Sequence, residues 1–206
     1  MKKMKKFCNK TAAIMLSICY ILFTPLTVLA VQPISSHRMT SGISNIYIYI
    51  DDKLPLKATY WQNLIKTAVD NWMYTGVGAN KFYCQGYVSS GTSGSKIDFY
   101  ARPSDYFGNN LNEMMGCTSF MSYSMNFVDP KNSDWYSAQI DLNDPLLRRD
   151  SVSNDLAIAL FIHEMGHAFG LDDEYTNMDS IMFWAVDASH ARRVQRVDND
   201  ALNTMY

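Results

Sequence analysis

The stretch HEMGHAFGLDDEY, His163 to Tyr175, holds two of the chain's four histidines and two of its three glutamates. His163 and His167 are four residues apart. On a helix that spacing stacks both imidazoles on one face, where they can reach a single cation. Neutral imidazole nitrogen is a good donor to zinc. Glu164 follows the first histidine and projects beside the ion rather than onto it. A carboxylate there can take a proton from a polarised water and return it to a leaving amine. The pattern therefore points to metal-assisted hydrolysis, with His163 and His167 as ligands and Glu164 as the catalytic acid–base group.

A third protein ligand decides what kind of site this is. If Gly170 ends the helix, its freedom at positive φ lets the chain turn back sharply. Asp173, six residues beyond His167, can then offer a carboxylate oxygen to the same ion. Three protein ligands leave zinc a fourth position for solvent. No glutamate follows Glu174, so a ligand of that type from a later helix is excluded. Asp179 is a less favoured substitute, and Asp172 and Glu174 read as solvated acids in a turn.

The paired histidines need a rigid carrier, and a helix from Asn154 to Phe169 is expected. Ser153 or Asn154 can cap it, Asp155 suits its first turn, and Gly170 suits its end. Upstream, NIYIYID alternates isoleucine and tyrosine like a strand. Trp61, Leu64, Ile65, Ala68, Val69 and Trp72 recur at helical spacing up to Gly76. KFYCQGYV, KIDFYA, CTSFMSYSM and YSAQIDL read as further strands, and the stretch from Arg102 to Gly116 reads as loop. DNDALNTMY closes the chain as a short helix. Strands and helices in this order predict an α+β arrangement around one core.

The 206 residues suit one domain with small extensions. Residues 1–30 carry a basic start, an apolar run and the small-residue pattern Val28-Leu29-Ala30, as expected of a secretory signal peptide. Residues 31–43 then form a short N-terminal segment ahead of a catalytic domain at 44–206. The leader holds five lysines and no acid, so its removal takes the formal charge from −2 to −7. An acidic surface argues against nucleic acid or an anionic membrane as partner, and the basic cluster Arg192, Arg193 and Arg196 reads as a solvated helix face. Cys84 and Cys117 remain after cleavage, and in an exported protein such a pair is expected to form a disulfide.

HEMGHAFGLDD fits H-E-x-x-H-x-x-G-x-x-D, and in this it resembles the metzincin zinc proteases in their aspartate-bearing, snapalysin-like form. The resemblance is strong over residues 163–182 and diffuse over 44–206, where the order of elements is similar to a matrixin-like catalytic domain. It implies a secreted, monomeric endopeptidase with one catalytic zinc ion and protein or peptide substrates. It also implies a Met-turn at SIMFW, with Met182 beneath the metal, and an oxyanion-stabilising role for Tyr175. The resemblance further suggests an edge strand above the cleft, for which residues 117–125 are the candidate. Calcium is a second candidate ion, with SDYFGNN offering oxygen ligands without a recognisable spacing. A structural second zinc is not expected, because only His37 and His190 lie outside the motif. The competing reading is an exported binding or toxin-like domain whose metal is structural and whose site performs no turnover.

Overall fold

The computed structural model describes residues 31–51, 58–88, 91–110, 114–186 and 191–206. Residues 1–30, where a signal peptide is expected, and His190 lie outside them. Within the described residues no helix is long and apolar enough to cross a membrane.

The alternation of IYIYI produces strand β1, Ile46–Ile50, whose three isoleucines are buried on one face. It is flanked by β2, Cys84–Val88, and β3, Ser95–Arg102, both parallel to it. Strand β4 is Gly116–Met121, β5 is Phe127–Val128 and β6 is Ser137–Asn143. The sheet order is β2-β1-β3-β6-β4-β5, with β6 parallel to β3 and β4 antiparallel to both its neighbours. The fold is thus α+β with a six-stranded mixed sheet.

Two helices cover the apolar face formed by β1, β3 and β6. Helix α1, Ala58–Met73, buries the tryptophan and aliphatic positions expected from its periodicity. Past a four-residue helix α2, Asp144–Leu147, helix α3 spans Asn154–Phe169, and α4, Arg196–Met205, closes the chain. Helix α3 is buried through most of its length, so it is held from several sides. Trp72 Nε1 donates to the Ile162 carbonyl at 2.9 Å, and Trp135 Nε1 donates to the Ala168 carbonyl at 3.1 Å. Phe169 packs between Trp72 and Phe82, with ring centroids 5.2 and 4.8 Å away. Polar edges of large rings thus meet helix carbonyls while their faces fill the core.

Three expectations change. The stretch after Arg102 includes a 3-10 helical segment, Ser104–Asn110, so SDYFGNN is not plain loop. The turn-rich stretch after Met121 contains β5, which pairs with Phe120 and Met121. The outer side of β4 is therefore open only over Gly116–Ser119, and residues 122–126 form the turn to β5 rather than an edge. Finally, Cys84 and Cys117 are free thiols. They sit on β2 and β4, separated by β1, β3 and β6. Four interstrand steps amount to roughly 19 Å, far beyond the reach of a disulfide. Burial pushes the Cys117 thiol up to about 12, with the nearby charges of Asp141 and Glu164 adding to the shift.

This geometry predicts that the unfolded, unreduced protein takes up alkylating reagent at both Cys84 and Cys117, and that reductant leaves its thermal stability unchanged. Mass spectrometry showing a Cys84–Cys117 cross-linked peptide would contradict the sheet order.

Candidate metal centre

Ser153 caps α3 by accepting from Leu156 N at 3.2 Å, and Asp155 lies in the first turn. At the other end Gly170 adopts φ 101°, ψ 13°. Its N–H donates to the His167 carbonyl at 2.7 Å, and Leu171 N–H donates to the Gly166 carbonyl at 3.0 Å. Those two bonds define a Schellman ending, and glycine suits its left-handed residue. Space demands glycine as well. A Cβ at Gly170 would stand 2.6 Å from Met205 Cε and 2.9 Å from the Trp135 ring.

The reversal at Gly170 carries Asp173 back toward the helix. Its Oδ1 lies 3.4 Å from His163 Nε2 and 3.5 Å from His167 Nε2. The two imidazoles stand almost perpendicular, at 89°, with centroids 4.6 Å apart. Each ring is oriented from behind. His163 Nδ1 lies 3.0 Å from the Ile181 carbonyl, and His167 Nδ1 lies 2.9 Å from the Leu171 carbonyl. A carbonyl can only accept, so each Nδ1 carries a proton and Nε2 is the nitrogen that faces Asp173.

Asp172 N–H donates to the Gln32 carbonyl at 2.9 Å, and Ile34 N–H donates to the Gly170 carbonyl at 2.8 Å. The short N-terminal segment therefore clamps the turn that delivers Asp173. Glu174 is buried instead of solvated. Its Oε1 accepts from Thr176 N at 2.7 Å, Thr176 Oγ1 at 2.6 Å and Asn177 N at 3.1 Å. Its backbone pairs with the Met182 carbonyl and Trp184 N–H, tying the ligand turn to the stretch around Met182. Met182 is fully buried, and its sulfur takes the space a Cβ at Gly166 would need, only 2.2 Å from that position.

Glu164 is also buried, beside the inner face of β4. Its Oε2 accepts from Thr118 Oγ1 at 2.8 Å, and the same hydroxyl lies 2.9 Å from the Glu164 carbonyl. Gly116 presents bare backbone there, since a Cβ would meet Glu164 Oε1 at 3.2 Å. All four motif residues, His163, Glu164, His167 and Asp173, open onto a cleft of about 650 Å³. Its remaining walls are largely apolar, with Met115, Leu160, Trp184 and Val186 among them.

Tyr175 does not line that cleft. Its side chain is 66% exposed, and the negative charge of Asp173 raises its pKa. His37 lies elsewhere, 3.2 Å from Asp134. Among the described residues, His163, His167 and Asp173 form the one group of three or more histidine, cysteine or acidic side chains with a metal-binding arrangement.

A metal ion fits the donor set. Zinc held at about 2.0–2.1 Å in a tetrahedron requires donor–donor separations of roughly 3.3 Å. The two nitrogen–oxygen separations are close to that, and the three donor atoms all lie within 4.8 Å of one another. Electrostatics agree. The two imidazoles hold Asp173 well below the usual carboxylate range. Burial works against charge on His167, but Asp173 and then Glu164 outweigh it, pushing His167 up to about 9. The site attracts positive charge, which a proton supplies when no metal does.

Thr118, Glu174 and the N-terminal clamp escape a reading of the sequence, because each acts through a contact between distant segments. Comparison of the chain with protein-family models and with curated proteins returned no match.

Metal must displace the His167 proton. Apparent zinc affinity is therefore expected to strengthen about tenfold per pH unit from neutral pH upward, levelling off near the His167 value of about 9. Chelator-buffered zinc titrations across that range check this, and an affinity independent of pH would contradict the assigned ligands.

Proposed function

We propose that this chain is a secreted zinc-dependent endopeptidase of metzincin type, cleaving protein or peptide substrates in the extracellular medium as a monomer. One observation carries the reading. The Nε2 atoms of two imidazoles and one carboxylate converge in an open cleft, with a buried glutamate beside them. A structural metal site closes its coordination with protein ligands and has no use for a cleft or an adjacent acid. The left-handed ending of α3, the buried Met182 below it and the closing helix α4 support the family reading.

A zinc ion bound by His163, His167 and Asp173 would supply Lewis acidity for a substrate carbonyl and a solvent molecule. The rest falls to the chain's own groups. Glu164 accepts a proton from the attacking water at its carboxylate and later delivers it to the departing amine nitrogen. Thr118 holds that carboxylate in one rotamer. With Glu164 ionised, the Thr118 hydroxyl donates to Oε2. With Glu164 protonated, the hydroxyl can turn to the Glu164 carbonyl and accept from Oε2, since both oxygens lie within hydrogen-bond distance. The open backbone of Gly116–Ser119 can receive extended peptide, as unpaired strand edges do. Apolar cleft walls exclude water from the reacting centre and strengthen the local electrostatics. Tyr175, beside Asp173 and exposed, is the candidate to steady a developing oxyanion.

Glu164→Ala is expected to retain stoichiometric zinc and to lose casein cleavage by a factor on the order of 10²–10⁴. Thr118→Val, which removes one charged hydrogen bond, should lower kcat roughly tenfold with little change in KM. Purified Glu164→Ala that still turns over casein at the wild-type rate would remove the assigned role.

A further inference from the structure

The two histidines are not supported alike. Behind His167, the Nδ1 proton meets the Leu171 carbonyl. The same peptide unit continues through Asp172 N–H to the carbonyl of Gln32, where the chain of bonds reaches a neutral amide. Behind His163, the Nδ1 proton meets the Ile181 carbonyl. That peptide unit continues through Met182 N–H, which donates to Ser180 Oγ at 2.9 Å. Ser180 Oγ in turn donates to Asp198 Oδ1.

The direction of the backbone links is fixed. The Ile181 carbonyl can only accept and the Met182 N–H can only donate. Asp198 meets donors alone, since its Oδ2 also accepts from Ile181 N at 3.2 Å and Gln195 N at 2.7 Å. Burial raises the Asp198 pKa, and the Ser180 hydroxyl with the Ile181 and Gln195 N–H groups works against that rise and favours the carboxylate. Asp198 and Ser180 are both almost completely buried. Charge at that depth is poorly screened, and aligned bonds polarise one another. The Oδ2 contacts cap α4 and brace the turn, and the Oδ1 contact reaches Ser180.

We infer that Asp198 is a positioning residue for the metal centre, acting on His163 through a hydrogen-bond relay of Ser180 and the Ile181–Met182 peptide unit. The relay ends in a carboxylate, which makes the Ile181 carbonyl a stronger acceptor for His163 Nδ1–H and His163 Nε2 richer in electrons. His163 thereby becomes the tighter ligand of the pair, whereas the bonds behind His167 run to the Gln32 carbonyl. The consequence for zinc rests on the function proposed above, whereas the effect on the imidazole does not.

The test uses Ser180→Ala, Asp198→Asn, their combination, and Ser180→Thr, which keeps the hydroxyl. Imidazole nitrogen resonances are read first, in the metal-free protein at alkaline pH. Both single variants should shift the His163 Nδ1 resonance toward that of a weaker donor and leave His167 in place. Zinc titration should then show roughly tenfold weaker binding in each, no further loss in the combination, and wild-type binding in Ser180→Thr. An unmoved His163 resonance, equal movement of both histidines, or additive losses in the combination would overturn the relay. Should Asp198→Asn not fold, Ser180→Ala decides, because it leaves Asp198 both its backbone donors. If the wild-type protein binds no zinc, the proposed function fails while the resonances still judge the relay.

Discussion

Three lone pairs aim at one point because the chain reverses at Gly170, and most of the site depends on that reversal. A helix alone can align His163 with His167, but it carries every following residue away along its axis. The left-handed residue stops the helix and frees the Leu171 carbonyl to accept from His167 Nδ1. It also returns Asp173 to within 3.4–3.5 Å of both imidazoles. One backbone turn thus orients one ligand and delivers another. Met205 and Trp135 crowd the position where a side chain at Gly170 would go, so the turn is fixed by packing as well as by dihedral preference.

Around that turn, distant segments converge on the same few atoms. The N-terminal segment pairs with residues 170–172, and Glu174 links the ligand turn to Met182. Met182 fills the space left by Gly166 on α3. Strand β4 closes the other side with Thr118 and Gly116 against Glu164. Burying acids this way costs stability unless each oxygen finds a donor. Glu174 Oε1 and both Asp198 oxygens accept from such donors. Asp173 has the two imidazoles instead, and their mutual attraction is what a divalent cation would exploit.

The carrier helix was legible at about its observed bounds, since Ser153 or Asn154, the apolar run and Gly170 are punctuation that acts within a few positions. The clustering of His163, Glu164, His167 and Asp173 was equally legible, because helical spacing and one turn determine it. Contacts between remote segments were not. Glu174 reads as a solvated acid until its partners Thr176 and Asn177 are seen folding around it. Thr118 carries no mark distinguishing it from any other strand threonine. The cysteine pair misleads because export makes a disulfide plausible, whereas the strand order that forbids it is a property of the whole sheet. Strand β5 is too short for periodicity to reveal, and it covers part of the edge that the motif's family would leave open.

The most direct test is a crystal grown with zinc and measured on both sides of the zinc absorption edge. A single anomalous peak is expected within about 2.0–2.2 Å of His163 Nε2, His167 Nε2 and an Asp173 oxygen, with its remaining position facing the cleft. A peak bound by the histidines but not by Asp173, or no peak between them at all, would contradict the metal centre described here.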